Sequence, residues 1–167
     1  MHPQIKVLIV LQGMKKVFFF LTILCGLMLT SCHNEPVQPK VSFKITVSDI
    51  TTSSAKVTVV PSDTQVYYYF DILSASYVDS LGSDSALAMD NIDYIESRVA
   101  YHQEKGDGFA DTFVTWLWQG FGEEEWGFIP AGLDCVAFAF CVDTTTHTFY
   151  GDVYKVPFRT LDESSDE

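Results

Sequence analysis

The most chemically specific residue in this chain is a cysteine at the end of an apolar segment. Leu29-Thr30-Ser31-Cys32 sets an apolar residue at −3 and small residues at −2 and −1 before a cysteine. That is the pattern of a lipobox. The small side chains let a signal peptidase reach the backbone, and the Cys32 sulfur is the atom that carries diacylglycerol. Met14-Lys15-Lys16 and the apolar run Val17 to Met28 supply the positive head and apolar body of an export signal. The run is shorter than the roughly 20 apolar residues of a membrane span. Residues 1–31 therefore read as the signal, with 14–31 its core and 29–32 the lipobox. Cys32 is the expected lipidation site and first mature residue. Met1 to Gly13 precede a natural-looking start at Met14.

The other residues able to do chemistry are aromatic or acidic. Trp116, Trp118 and Trp126, with Tyr67, Tyr68 and Tyr69, offer flat faces on which sugar rings or peptide side chains can stack. The same side chains also build the cores of small β domains. Trp116 and Trp118 read as core, with one of the pair facing out because adjacent even positions cannot share a helix face. Trp126, beside Glu123-Glu124-Glu125 and Gly127, is placed to be partly exposed. These three tryptophans are the candidate ligand contacts. The glutamate run matches no calcium-loop spacing and reads as a solvated strand edge. Asp107 and Asp111, flanking a glycine loop, read the same way.

An enzyme is not expected. His102 and His147 stand in no metal-ligand spacing, and the chain has no nucleophile elbow, phosphate-cradling loop or metalloprotease helix. His102 reads as a hydrogen-bonded residue at the margin of a helix's apolar face. No catalytic residue, metal or cofactor is expected. A glycosidase-like carboxylate pair cannot be picked out among 22 acidic residues. Of four cysteines, Cys25 leaves with the signal and Cys32 carries lipid. Cys135 and Cys141 lie six residues apart on one strand, roughly 20 Å at about 3.3 Å per residue. A disulfide needs Cα atoms within about 7 Å, so both read as small buried residues.

Charge narrows the partners. Every acidic residue lies beyond Cys32 while Lys6, Lys15 and Lys16 precede it, leaving 7 basic against 22 acidic side chains and a net charge of −15. Such a surface repels phosphate backbones, which argues against nucleic acid. Membrane attachment must come from the acyl chains on Cys32 and not from a basic patch. His33-Asn34 carries no Asp at +2 that would retain the protein in the inner membrane. The expected location is the cell envelope at the outer membrane, with the periplasmic or surface face left open.

The elements that must position these residues follow from periodicity. Residues 32–40, with two prolines, form a lipidated tether. Val41 to Ile50 alternates strictly, Ala55 to Val60 resumes the alternation, and Gln65 to Leu73 is a third strand. Between about 84 and 119 the chain is expected to be helical. Ala88, Ile92, Ile95, Val99 and His102 form a 4, 3, 4, 3 stripe over Asp84 to Glu104, and Lys105-Gly106-Asp107-Gly108 stops it. Asp111 to Gln119 fits a second helix, though Val114, Trp116 and Trp118 also alternate as in a strand. Strands return at Glu123 to Phe128, Leu133 to Asp143 and Thr148 to Thr160. Leu133 to Asp143 is apolar on both faces and is expected to be central. Residues 161–167 are an acidic tail.

These segments resemble the fibronectin type III-like modules of Bacteroidetes lipoproteins. The likeness runs from about Phe43 to Thr160 through FKITVSDITTSSAKVTVVPSD, VYYYFDI, Phe128-Ile129-Pro130, VAFAFCVD and KVPFRT. Pro130 fits the tyrosine corner of such modules, but Leu133 and Cys135 stand where its threonine and tyrosine would be. The corner's backbone hydrogen bond is thus absent or replaced. The resemblance implies a fibronectin III/immunoglobulin-like β-sandwich over 41–160 with a helical insertion, in an envelope lipoprotein, and implies no reaction. The expected role is a binding or adhesion module for glycan or protein, or else an accessory subunit of a larger surface assembly.

Overall fold

In the computed structural model the described residues are 40–106 and 108–163. The export segment, the lipobox with Cys32, the tether up to residue 39, Asp107 and the last four residues of the tail lie outside them.

Alternating apolar residues form the early strands as their pattern requires. β1 (Phe43–Ser48), β2 (Ala55–Pro61) and β5 (Gly122–Trp126) make an antiparallel sheet in the order β1-β2-β5. A second antiparallel sheet runs β4-β3-β6-β7, from β4 (Trp118–Gln119), β3 (Tyr67–Ser74), β6 (Asp134–Asp143) and β7 (Thr148–Arg159). Phe43, Val57 and Val59 of the first sheet bury against Tyr68, Phe70, Ala137, Ala139 and Cys141 of the second. β6 is central, as its two apolar faces require, and its alternate residues Phe138, Phe140 and Val142 enter a different core.

That second core is covered by helix. α2 (Asp84–Lys105) starts at Ser83, whose hydroxyl accepts from Ala86 N, and ends at Gly106 with φ 63°. Only a residue that tolerates the left-handed region ends a helix this way. The expected stripe is the buried one: Ala88, Ile92, Ile95 and His102 are buried and Val99 packs at the margin. The helix lies on the face of the four-stranded sheet opposite the three-stranded one. Among the described residues the fold is thus mostly β, with two antiparallel sheets and two α-helices. Among the described residues no helix is long and apolar enough to cross a membrane.

Two elements differ from expectation. α1 (Ala75–Leu81) follows β3 directly, capped by Ser74 and closed by Gly82 at φ 76°. It is short and has no fully buried residue, so it leaves little periodicity to read. The segment 111–119 is not one helix. It makes a single 3-10 turn (Phe113–Trp116) and then β4. Phe113 is buried by stacking on His147, 3.8 Å between ring centroids. Tertiary pairing of Tyr68 with Trp118 then draws the chain into the sheet.

The corner after Pro130 is held by another residue. The Thr160 hydroxyl donates to Pro130 O at 2.7 Å and accepts from Leu133 N at 2.8 Å. Thr160 is one of three buried polar residues among the described residues, and these bonds satisfy it.

Candidate functional site

β4 is only two residues long, and it pairs with β3 only at Tyr67 and Tyr68. Beyond Tyr68, the next residues of β3 border a cleft of about 480 Å³. All three candidate tryptophans line it. Trp116 comes from the 3-10 turn, Trp118 from β4 and Trp126 from the end of β5. Each is half-buried. The expectation that one of Trp116 and Trp118 faces away is therefore corrected. The backbone changes from helical to extended at Leu117, so the helix-face rule does not apply to the pair.

Two of the indoles clasp one ring. Trp118 and Trp126 lie 5.1 and 5.4 Å from the Phe70 centroid, and Phe70 is buried. Trp116 is fixed separately: its Nε1 donates to Ala110 O at 3.0 Å, and Tyr94 meets it edge-on at 6.4 Å. Close approach of β5 depends on Gly122. A Cβ there would stand 2.5 Å from Tyr68 Oη and 2.8 Å from the Phe70 ring.

The cleft also holds two carboxylates: Asp71, which the sequence reading did not single out, and Glu124, expected only as part of a solvated strand edge. Asp71 sits beside Tyr69 on its β3 wall, and Glu124 stands exposed on β5. Asp71 Oδ2 accepts from the Tyr69 hydroxyl at 2.7 Å and Oδ1 from Ile72 N at 2.6 Å. The Trp126 side chain also donates to it. Burial nonetheless pushes the Asp71 carboxyl above the ordinary aspartate range, because three donors do not replace bulk water. Although its side chain is exposed, partial desolvation at the cleft wall, and then the charge of Asp71, raise Glu124. Burial raises the Tyr69 hydroxyl strongly, with Asp71 adding to it.

Both carboxylates left a signal. Asp71 is the one charge inside QVYYYFDIL, and a charge within an apolar strand must be bonded. Glu124 shares the parity of Gly122 and Trp126, which face inward. Glu123 has the opposite parity and pairs with Lys56 at 2.9 Å.

A raised pKa in the folded state means that folding favours the protonated form. Asp71 thus adds stability at low pH, and that increment is lost as pH rises through the folded pKa. Asp71→Asn does not titrate. The stability of the wild type relative to Asp71→Asn is expected to fall as pH climbs upward from the ordinary value of 3.8. Paired thermal melts from pH 3 to 7 measure it, and a pH-independent difference would contradict it.

The remaining candidates are dispersed. The glutamate run is split between the two faces of the edge strand β5. Asp111 lies near the α2 terminus, where its carbonyl accepts from Gln103 Nε2. His102 is buried among Trp116, Tyr101 and Phe109, and His147 bonds Glu96 at 3.0 Å. Cys135 and Cys141 are buried free thiols. Among the described residues no three His, Cys, Asp or Glu side chains converge as metal ligands. Tyr68 is spent in the core, donating to Gly120 O at 2.9 Å, so of the three consecutive tyrosines only Tyr69 lines the cleft.

No family model, curated protein or solved structure matches the chain. The cleft is read from its own residues.

Proposed function

We propose that this chain is a cell-envelope lipoprotein, lipidated at Cys32 and held at the outer membrane, whose exported domain is a non-enzymatic binding module. Its ligand is a glycan. The observation that carries this reading is the convergence of Trp116, Trp118 and Trp126 on one cleft that also holds polar groups. Separated aromatic faces with polar margins suit sugar rings, which stack by their C–H faces and hydrogen bond at their edges. The shared core of two antiparallel sheets supports a fibronectin III-like β-sandwich with a helical insertion.

Trp116 is the informative position, because it packs on the helix side and not in the core between the sheets. Trp116→Ala is expected to weaken glycan binding about 10-fold, near 1.4 kcal/mol. It is also expected to lower stability, because Trp116 packs at the margin of the helix-side core, while leaving the core between the sheets intact. Trp118→Ala and Trp126→Ala uncover Phe70 and are expected to cost both binding and stability. A glycan array probed with the wild type and the three variants measures this. Binding that survives all three substitutions would end the reading.

One observation favours a protein partner. Phe128 is fully exposed on a left-handed backbone, φ 63°, and Phe121 is also exposed. Large exposed aromatics of this kind suit an accessory subunit buried by another chain. A stoichiometric partner in a mild-detergent pull-down of the tagged full-length protein would favour that alternative.

A further inference from the structure

We infer that the ligand of the cleft is a cationic amino sugar, one whose ring amine is unacylated and pairs with Asp71 and Glu124. The inference rests on the glycan-binding reading and narrows it.

A neutral sugar needs a mixture of donors and acceptors at its edge. The cleft is biased toward acceptance. Its ionisable groups at neutral pH are the two carboxylates, and no Lys, Arg or His lines it among the described residues. The contrast with the other face of β5 is direct, since Glu123 there is neutralised by Lys56. Arg98 packs over Trp116 and Tyr101, 5.9 and 5.1 Å from their centroids, without lining the cleft.

Aromatic walls reinforce the preference. The face of an indole ring is electron-rich and attracts a cation, most strongly where water is excluded. Trp116, Trp118 and Trp126 present such rings beside Asp71, whose oxygens already accept from Tyr69, Ile72 and Trp126. Those bonds fix the carboxyl in place while burial disfavours its ionised form, so an ammonium seated against it would favour the charged state. The charge of Asp71 disfavours ionisation of Glu124, which an ammonium group beside them relieves. The sugar ring supplies the flat apolar face for an indole, and its amine supplies the charge. Long-range attraction acts the same way, because the exported chain carries 22 acidic against 7 basic side chains.

The test uses two ligands that differ in charge at the same position. A β-1,4-linked glucosamine trimer and its fully N-acetylated counterpart are titrated into the full-length protein in detergent, with tryptophan fluorescence and calorimetry as readouts. The amine trimer is expected to bind at least 10-fold more tightly near pH 6, and more weakly as salt rises. Glu124→Gln, at an exposed position that no core depends on, is expected to weaken the amine trimer about 10-fold and the acetylated one by a much smaller factor. Equal or tighter binding of the acetylated trimer overturns the inference and leaves glycan binding standing. Binding of neither trimer also overturns it, and the array described above then judges the broader reading by itself.

Discussion

Phe140→Ala is expected to destabilise the domain by about 3–5 kcal/mol and to lower its unfolding midpoint by about 10–20 °C. The size follows from position. Phe140 is fully buried on the central strand, with its ring 5.8 Å from Tyr69, 6.2 Å from Phe138 and 6.4 Å from Phe149. Truncation leaves a cavity that neither the sheet nor α2 can close without moving the other. Domains of this size are stable by roughly 5–15 kcal/mol, so this one change removes a large share. Because Tyr69 also anchors Asp71, the cleft is expected to loosen at temperatures where the rest of the fold still holds. Thermal melts followed by far- and near-ultraviolet circular dichroism measure both effects. A midpoint shift under about 5 °C would mean that the helix-side core is less closely packed than described.

Cys32→Ser is expected to abolish acylation altogether. A serine hydroxyl cannot stand in for the sulfur that would carry diacylglycerol in the proposed lipoprotein, and a net charge of −15 beyond Cys32 does not favour an anionic surface. Metabolic labelling with an alkyne fatty acid reads the result directly. Label should vanish from Cys32→Ser and persist in Cys25→Ser and Cys135→Ser. Equal labelling of Cys32→Ser would refute lipidation at this residue and remove the basis for the proposed anchor.

Much of the secondary structure was legible because local rules produce it. Strict alternation marked β1 and β2, two apolar faces marked β6 as central, and the stripe Ala88, Ile92, Ile95 with Gly106 at its end marked α2. Pairing was less accessible. Val57 lies opposite Glu124 and Tyr69 opposite Phe140, partners joined through the whole middle of the chain, and no local pattern names them. The same limit hid half of the cleft. The tryptophans stood out as residue types, but their convergence depends on a turn at Leu117 and on the brevity of β4. Asp71 and Glu124 look alike among other acids until the sheets bring them to the same cleft. The second core was also hidden, since a helical stripe does not say which sheet face it covers.

β3 and β6 serve both cores at once, and that sharing bears on how the molecule is made. Neither core closes until these two strands meet, and they meet only after α1, α2, β4 and β5 have all been synthesised. Assembly dominated by such distant contacts is slow, on the order of milliseconds to seconds. For a chain proposed to cross a membrane before it matures, delay is useful. The polypeptide stays threadable through a narrow channel, and folding completes on the far side, where the glycan would be met.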